Sequence, residues 1–351
     1  MAALAYLVAW PTGRRFEAFE RPADPQPLPE AIAGQWATLG TVGEGPEDVA
    51  VAADGTLYTG IADGYVMALD PGAVDWRPLL VTYGRPLGLA LSPDERFLYI
   101  ADAEAGLLRT DRAGHLQLLL DTLPGGGELG LVDDLAVHPA TGQVFFTSAT
   151  DEWPLSRARD ALLEHHATGR LLRYDPGARR AEVLLDGLQF ANGVAVTPAG
   201  DAVLVARTGD YDVLRYGLRG VDSGRVSVFA EALPGFPDGL NYDGTGRLWV
   251  SLVAPRSELL DDLLPRPFLR EVVYRLPESL KPRPGRRALA VALDARGRPV
   301  ASLRDLGDPE GEGVGFATVT NVVWRGDTAY VGSLTGRRVG RLTIPPRRPG
   351  G

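Results

Sequence analysis

Five oxygen-bearing side chains, Glu47, Asp133, Asn192, Asp238 and Asn321, stand at matching places in a motif that recurs along this chain of 351 residues. Carboxylate and amide oxygens gathered without thiolates suit a hard cation. Calcium accepts about six to eight of them in irregular geometry, whereas magnesium demands a tighter octahedron. Three carboxylates crowded together would repel and raise one another's pKa, and a divalent ion removes that repulsion. A single Asp or Asn at a strand mouth is ordinarily a turn residue. Five at one register point instead to a shared site built by repetition.

The motif that must position them is a hairpin. Its copies are Pro46–Val51 with Asp54–Tyr58, Pro86–Leu91 with Phe97–Ile100, Val132–Val137 with Gln143–Thr147, Phe190–Val196 with Ala202–Ala206, Pro237–Tyr242 with Arg247–Val250, and Thr320–Trp324 with Ala329–Val331. Each joins a small-apolar strand to a β-branched or aromatic strand through a turn rich in Gly, Pro and Asp. The equivalent positions are Glu47, Leu87, Asp133, Asn192, Asp238 and Asn321, separated by 40, 46, 59, 46 and 83 residues. The shorter intervals match a four-stranded propeller blade. The expected fold is an all-β, six-bladed β-propeller, with each register residue starting the innermost strand of its blade and facing a central channel. Asp48 and Asp134, one residue further on, point away from the axis and are expected to hydrogen-bond between blades.

Outer strands are expected at 65–69, 107–110, 170–174, 182–185, 212–216 and 225–229. Short helical insertions are expected in blades three and five, at 156–166 and at 257–264, with Ser257 as N-cap. Insertions at corresponding places in repeats tend to share one face, so they are read as a lid. Residues 36–42 form a strand that closes the last blade beside 339–344 and removes the exposed sheet edges. The propeller then occupies residues 36–345, preceded by an apolar and Pro-rich tail at 1–35 and followed by a disordered tail at 346–351. Residues 1–10 are apolar but shorter than the roughly 18 residues of a membrane span. They are read as a surface-packed or interfacial tail with weak membrane association at most.

A net charge of −9 argues against a nucleic-acid partner. The absence of cysteine excludes disulfides, thiolate nucleophiles and zinc–thiolate sites, and fits a cytoplasmic setting. No Gly-x-Ser-x-Gly, P-loop or dinucleotide-binding glycine motif is present. The four histidines are His115, His138, His165 and His166. His138 ends an inner strand near the opposite mouth, while His165 and His166 close the first insertion and lie near the lid. None is expected to act as an activating base.

The segments 45–49, 84–89, 168–176, 190–194 and 233–239 together resemble the strictosidine-synthase-like family, within the wider superfamily of gluconolactonases, paraoxonases and diisopropyl-fluorophosphatase. The likeness runs from about residue 40 to about 343. It implies a six-bladed propeller with calcium in the channel, held by Glu47, Asp133, Asn192 and Asp238, with Asn321 as a further candidate from the register. Such proteins commonly carry Asn where this chain has Asp133, which adds a negative charge to the site. Strictosidine synthase itself looks metal-free and uses a Glu in the last blade. Here the matching stretch is Ala317-Thr-Val-Thr320, and Glu310 and Glu312 lie in a Gly-rich loop.

Hydrolysis of a small-molecule ester or lactone is therefore expected rather than condensation of an amine with an aldehyde. Calcium would polarise a carbonyl or phosphoryl oxygen, with Asp238 as general base or nucleophile and Asp133 as the alternative. A propeller that binds a ligand or protein around a structural calcium is the competing expectation, since a fold does not fix a function.

Overall fold

The chain was analysed as a computed structural model that describes residues 13–285, 287–304, 316 and 318–345. The expectations for residues 1–10, Glu310, Glu312, Ala317 and 346–351 lie outside those residues.

Six four-stranded antiparallel sheets are arranged as blades. Blade one holds β2 (Val49–Val51), β3 (Leu57–Gly60), β4 (Tyr65–Leu69) and β5 (Arg77–Val81), and blade two β6 (Pro86–Leu91), β7 (Phe97–Asp102), β8 (Gly106–Asp111) and β9 (Leu116–Leu120). Blade three holds β10 (Val132–Val137), β11 (Val144–Ser148), β12 (Gly169–Asp175) and β13 (Arg180–Leu188). Blade four follows with β14 (Ala191–Val196), β15 (Ala202–Arg207), β16 (Asp212–Gly217) and β17 (Val226–Ala230). Blade five has β18 (Gly235–Tyr242), β19 (Leu248–Pro255), β20 (Leu289–Leu293) and β21 (Pro299–Arg304). Blade six combines β22 (Val322–Arg325), β23 (Thr328–Val331) and β24 (Gly340–Thr343) with β1 (Gln35–Thr38) from the start of the chain.

Successive inner strands touch, and β22 touches β2, so the ring closes. Closure is covalently staggered as expected: β1 pairs antiparallel with β24 from Gln35↔Thr343 to Thr38↔Gly340. A closed ring leaves each second strand covered on both faces, which is why β15 reads as an unbroken apolar run whose first five residues are all fully buried. The core is divided among the seams between blades. Leu204, Leu240 and Val250 pack between blades four and five, Phe146, Leu172 and Tyr99 between two and three, and Val49, Leu57 and Val339 where blade six meets blade one.

The inner strands carry a feature that periodicity did not announce. In blades two to five one residue is gained between successive ladder pairs, at 86–89, 132–135, 191–194 and 237–240. Such a β-bulge bends the strand and re-aims its side chains. Each bulge contains the channel residue and the residue after it.

Both insertions lie between the second and third strands of their blades. The first is α1 (Ala158–Glu164) after a turn of 3₁₀ helix, and the second is α2 (Glu258–Leu263), whose N-cap Ser257 accepts the Leu260 amide at 3.3 Å. A further helix, α3 (Pro267–Tyr274), was not expected, and it packs on both α1 and α2. Residues 15–19 are laid across this cap. The Arg15 amide donates to Glu164 Oε1 at 2.8 Å, and the Phe19 amide donates to the Leu264 carbonyl at 3.2 Å. Arg270 of α3 is fully buried and donates to the carbonyls of Leu163 (2.8 Å), Glu164 (3.0 Å) and Glu17. It thus satisfies helix-end carbonyls that would otherwise lack partners. Burial without a carboxylate lowers its pKa to about 10.

Candidate metal centre

Glu47, Leu87, Asp133, Asn192, Asp238 and Thr320 form one row lining the central space, each two residues before the apolar residue at which regular pairing with the second strand begins or resumes (Val49, Leu89, Leu135, Val194, Leu240, Val322). The carboxylates of Glu47, Asp133 and Asp238 each offer an oxygen, and these oxygens lie within 4.8 Å of one another. Asn192 lines the same space, and its side chain holds back the rise in the Asp238 pKa. All four residues are less than a tenth exposed. The space they line is small.

Asn321 does not stand in this row. It belongs one residue on, with Asp48, Gly88, Asp134, Gly193 and Gly239, and the channel position of blade six is Thr320. The expected register of blade six was therefore displaced by one. The side-chain amide of Asn321 donates to Asp48 across the closing seam, and its oxygen accepts from its neighbour's amide, Val322, at 2.9 Å and from Asn241. Thr320 spends its hydroxyl on the Glu47 carbonyl at 2.6 Å. Asn321 is a clasp between blades, and its amide has no free oxygen aimed at the carboxylates.

The clasp row has a consistent logic, and it bears out the expectation for Asp48 and Asp134. Asp48 accepts the Leu89 amide of blade two at 2.8 Å, and Asp134 accepts the Val194 amide of blade four at 2.9 Å. Where the row carries glycine, the next blade presses directly on the backbone. A Cβ at Gly193 would sit 2.1 Å from the Asp238 carbonyl, and one at Gly239 would sit 2.7 Å from the Asn321 side chain. The bulge is what separates the two rows: one residue turns to the axis and the next to the neighbouring blade.

Electrostatics agree with an unneutralised ring. Burial raises Glu47 to about 7, opposed by Arg85 and reinforced by Asp48. Asp133 is pushed well up by burial, then by Glu47 and Asp134, and Asp238 by burial, then by Glu47, Asp133 and Asp134. Asp48 rises only to about 6, because its backbone and Asn321 donors hold back the effect of burial. Three buried carboxylates thus converge with one guanidinium at their edge, the Arg85 Nη2 at 3.5 Å from Glu47. Oxygens bound to one calcium lie at most about 5 Å apart, given bonds of about 2.3–2.6 Å. The donor set, its spacing and its excess negative charge therefore fit calcium.

The residue two before each channel residue forms the next level of the channel: Gly45, Arg85, Leu131, Phe190, Phe236 and Thr318. Leu87, Leu131 and Phe190 pack with Trp153 and Ala161 of the first insertion, so the apolar member of the ring lies beneath the cap. Phe236 packs with Tyr211 and Leu264 on the other side. Period two on the inner strand would have revealed Arg85 as a channel-facing residue, but the search for oxygen ligands passed over it.

The histidines stay outside the ring. His138 accepts the Ala140 and Thr141 amides at a turn, as its position at a strand end suggested. His165 caps α1 in a left-handed conformation, buried beneath Phe19, with its Nε2 3.1 Å from Asp210. His166 meets Glu152 at 3.1 Å, and His115 is exposed beside Asp111.

Comparison with known proteins gives concordant results. A family model described as strictosidine synthase matches residues 133–220, and one described as strictosidine synthase-like, N-terminal, matches residues 34–69. The chain is 33% identical over 320 residues to adipocyte plasma membrane-associated protein of Bos taurus, covering 86% of this chain and 76% of that one. The Homo sapiens protein of the same name is 33% identical over 324 residues, with 86% and 75% covered. Among solved structures, a gluconolactonase from Xanthomonas campestris superposes with a TM-score of 0.64 at 18% identity, covering 96% of this chain and 99% of the other. A calcium-binding protein, regucalcin, from Agrobacterium tumefaciens superposes at 0.60 and 17% identity, covering 91% and 96%. At these identities the structural likeness is one of fold.

Proposed function

The chain belongs to the strictosidine-synthase-like family that contains adipocyte plasma membrane-associated protein, and from that premise we propose that it is a calcium-dependent hydrolase of small esters or lactones. The observation that carries this reading is the buried convergence of Glu47, Asp133 and Asp238 without enough positive charge to balance them. Glu47, Asp133, Asn192 and Asp238 would hold the ion, with Asn321 left to the clasp row. When bound, calcium supplies a Lewis acid that polarises a carbonyl or phosphoryl oxygen. The fold neighbours, a gluconolactonase and a calcium-binding protein, are in keeping with this reading.

The chain's own residues divide the remaining work. Asp238 accepts a proton from water at a carboxylate oxygen, or attacks directly; Asp133 is the alternative for that role. Asn192, beside Asp238 in the same space, favours its charged form. Leu87, Phe190 and Phe236 exclude bulk water from one side of the ring. In the last blade, Thr318, Val319 and Thr320 offer no carboxylate for the condensation chemistry of strictosidine synthase.

A panel of lactones, aryl esters and organophosphates, assayed with calcium and with EDTA, tests the proposal. Turnover is expected to disappear with EDTA and to fall by about 10²-fold or more in Asp238→Asn, the usual range for a positioned base. Hydrolysis that survives both treatments ends it. The competing reading is a binding propeller with structural calcium, favoured by the cap that covers the ring. It predicts calcium binding with no turnover and an ion ligated entirely by protein.

The functional unit proposed is the propeller of residues 36–345, with residues 15–19 built into its cap rather than hanging free. No helix among the described residues is long and apolar enough to cross a membrane. A cytoplasmic location, with weak membrane association through residues 1–10 at most, completes the proposal and is testable by cell fractionation.

A further inference from the structure

Among the described residues Arg85 is the cation that meets the acidic ring, and one nitrogen of its guanidinium is unused. The residue is 7% exposed. Its Nη2 donates to the Gly45 carbonyl at 2.9 Å and approaches Glu47 Oε2 at 3.5 Å. Its Nη1 is buried and has no hydrogen-bond partner. A buried guanidinium nitrogen without an acceptor is costly, and such groups are normally paired. The neighbouring residues do not explain it as a structural clamp alone, because a clamp between Gly45 and Glu47 needs only Nη2.

Arg85 also stands at the edge of the acidic ring, within reach of Glu47. It is two residues before Leu87 and so shares its face of the inner strand, one level along the channel from the carboxylates. It lies in the same ring of positions as Leu131, Phe190 and Phe236, which are apolar and offer no acceptor. With a divalent cation held by Glu47, Asp133 and Asp238, the ion and Arg85 together neutralise the three carboxylates. A negatively charged ligand then meets less repulsion, with only Asp48 and Asp134 of the clasp row left unbalanced, and the unpartnered Nη1 is the donor left to meet it.

We propose that Arg85 is a specificity residue that binds an oxyanion on the substrate, so that the preferred substrates are esters or lactones bearing a carboxylate or phosphoryl group near the scissile bond. This rests on the calcium-hydrolase reading for the identity of the reaction, but the oxyanion site is tested separately by binding. A guanidinium suits the planar, two-oxygen face of such a group, whereas a lysine at the same place is only a point charge.

The test is calorimetric titration of the full chain with calcium, and then of the calcium-saturated protein with glutarate, phenylphosphonate and the uncharged dimethyl glutarate. The unmodified protein is expected to bind at least one of the two anions at least tenfold more tightly than the diester; which anion wins separates a carboxylate from a phosphoryl preference. Arg85→Gln is expected to lose that preference while binding calcium more tightly, since a positive charge beside Glu47 is gone. Arg85→Lys is expected to recover part of the anion affinity. Anion binding that is absent in the unmodified protein, or equal in Arg85→Gln, overturns the proposal. So does a joint fall in calcium affinity and melting temperature in Arg85→Gln, which would mark Arg85 as a structural clamp. If the anions bind through Arg85 but no ester in the panel is hydrolysed, the hydrolase reading fails and the oxyanion site stands.

Discussion

Asn321 donates its side-chain amide to Asp48 across 273 residues of sequence, joining the last inner strand to the first. Asp48 in turn accepts the backbone amide of Leu89, so the hydrogen-bonded chain runs over three consecutive blades. This places Asn321 in the scaffold, whereas Asn192, also an amide at a strand mouth, belongs to the proposed metal centre.

The two asparagines should therefore part company on substitution. Asn321→Ala leaves Asp48 buried with one donor fewer and is expected to cost about 1–3 kcal/mol of stability, with the calcium Kd changed less than about threefold, roughly the context scatter of any single contact. Asn192→Ala is expected to weaken calcium at least tenfold, about 1.4 kcal/mol, with little change in metal-free stability. Melts with and without calcium, combined with calorimetric titration, check both. Equal calcium loss in the two variants would return Asn321 to the ligand set.

Asp238→Asn removes one of three crowded carboxylates. Without calcium the variant is expected to melt at a higher temperature than the unmodified protein, because mutual repulsion and burial both penalise Asp238. The stabilisation that calcium gives the unmodified protein should vanish. Thermal melts in EDTA and in millimolar calcium decide the matter, and a variant destabilised in EDTA would contradict the electrostatic reading.

The pH dependence follows from the same ring. Glu47 has its pKa raised from 4.5 to about 7 in the folded chain, chiefly by burial. The folded state then holds a proton that the unfolded state has released, so the metal-free protein loses stability as pH rises from about 4.5 to about 7. The size of the effect is on the order of 3 kcal/mol for a shift of this extent. Calcium displaces that proton, so calcium affinity should rise with pH over the same window. Titrations in buffers of different ionisation heat count the protons released, and Glu47→Gln should flatten both dependences. A calcium affinity indifferent to pH between 5 and 7 would count against it.

Ring closure by β1 gives a mechanical prediction. Trp36 packs in the core shared by blades five and six and meets Phe316 edge-on at 5.2 Å. Trp36→Ala is expected to cost about 2–3 kcal/mol, below the range for a fully buried tryptophan because the side chain is only partly buried. Since the seam closes the whole ring, urea unfolding followed by tryptophan fluorescence and by circular dichroism should shift together. A loss confined to one probe would mean that blade six opens independently.

Much of this molecule was legible in the order of its residues. Alternation of apolar and polar positions is local, and a hairpin writes it within about ten residues, so six copies could be counted and the closing strand assigned. Glu47, Asp133, Asn192 and Asp238 were singled out because each is an oxygen-bearing residue at the same register of its hairpin, two before an apolar residue of the inner strand. Thr320-Asn321-Val322 obeys the same spacing, and reading it by polarity alone moved Asn321 into the wrong row.

Tertiary structure decided the rest, for reasons of distance and pairing. The extra residue of each bulge has no signature in composition; it exists only relative to the partner strand, yet it determines which side chain faces the axis and which faces the next blade. Arg85 beside Glu47, Asn321 on Asp48 and Arg270 on Glu17 depend on closing a ring and folding a cap over it. Sequence set down the oxygens and the strands that carry them, because those are local choices of side chain and period. Only the closed propeller fixed how far apart the charges stand, since their spacing belongs to strands held together by contacts far removed along the chain.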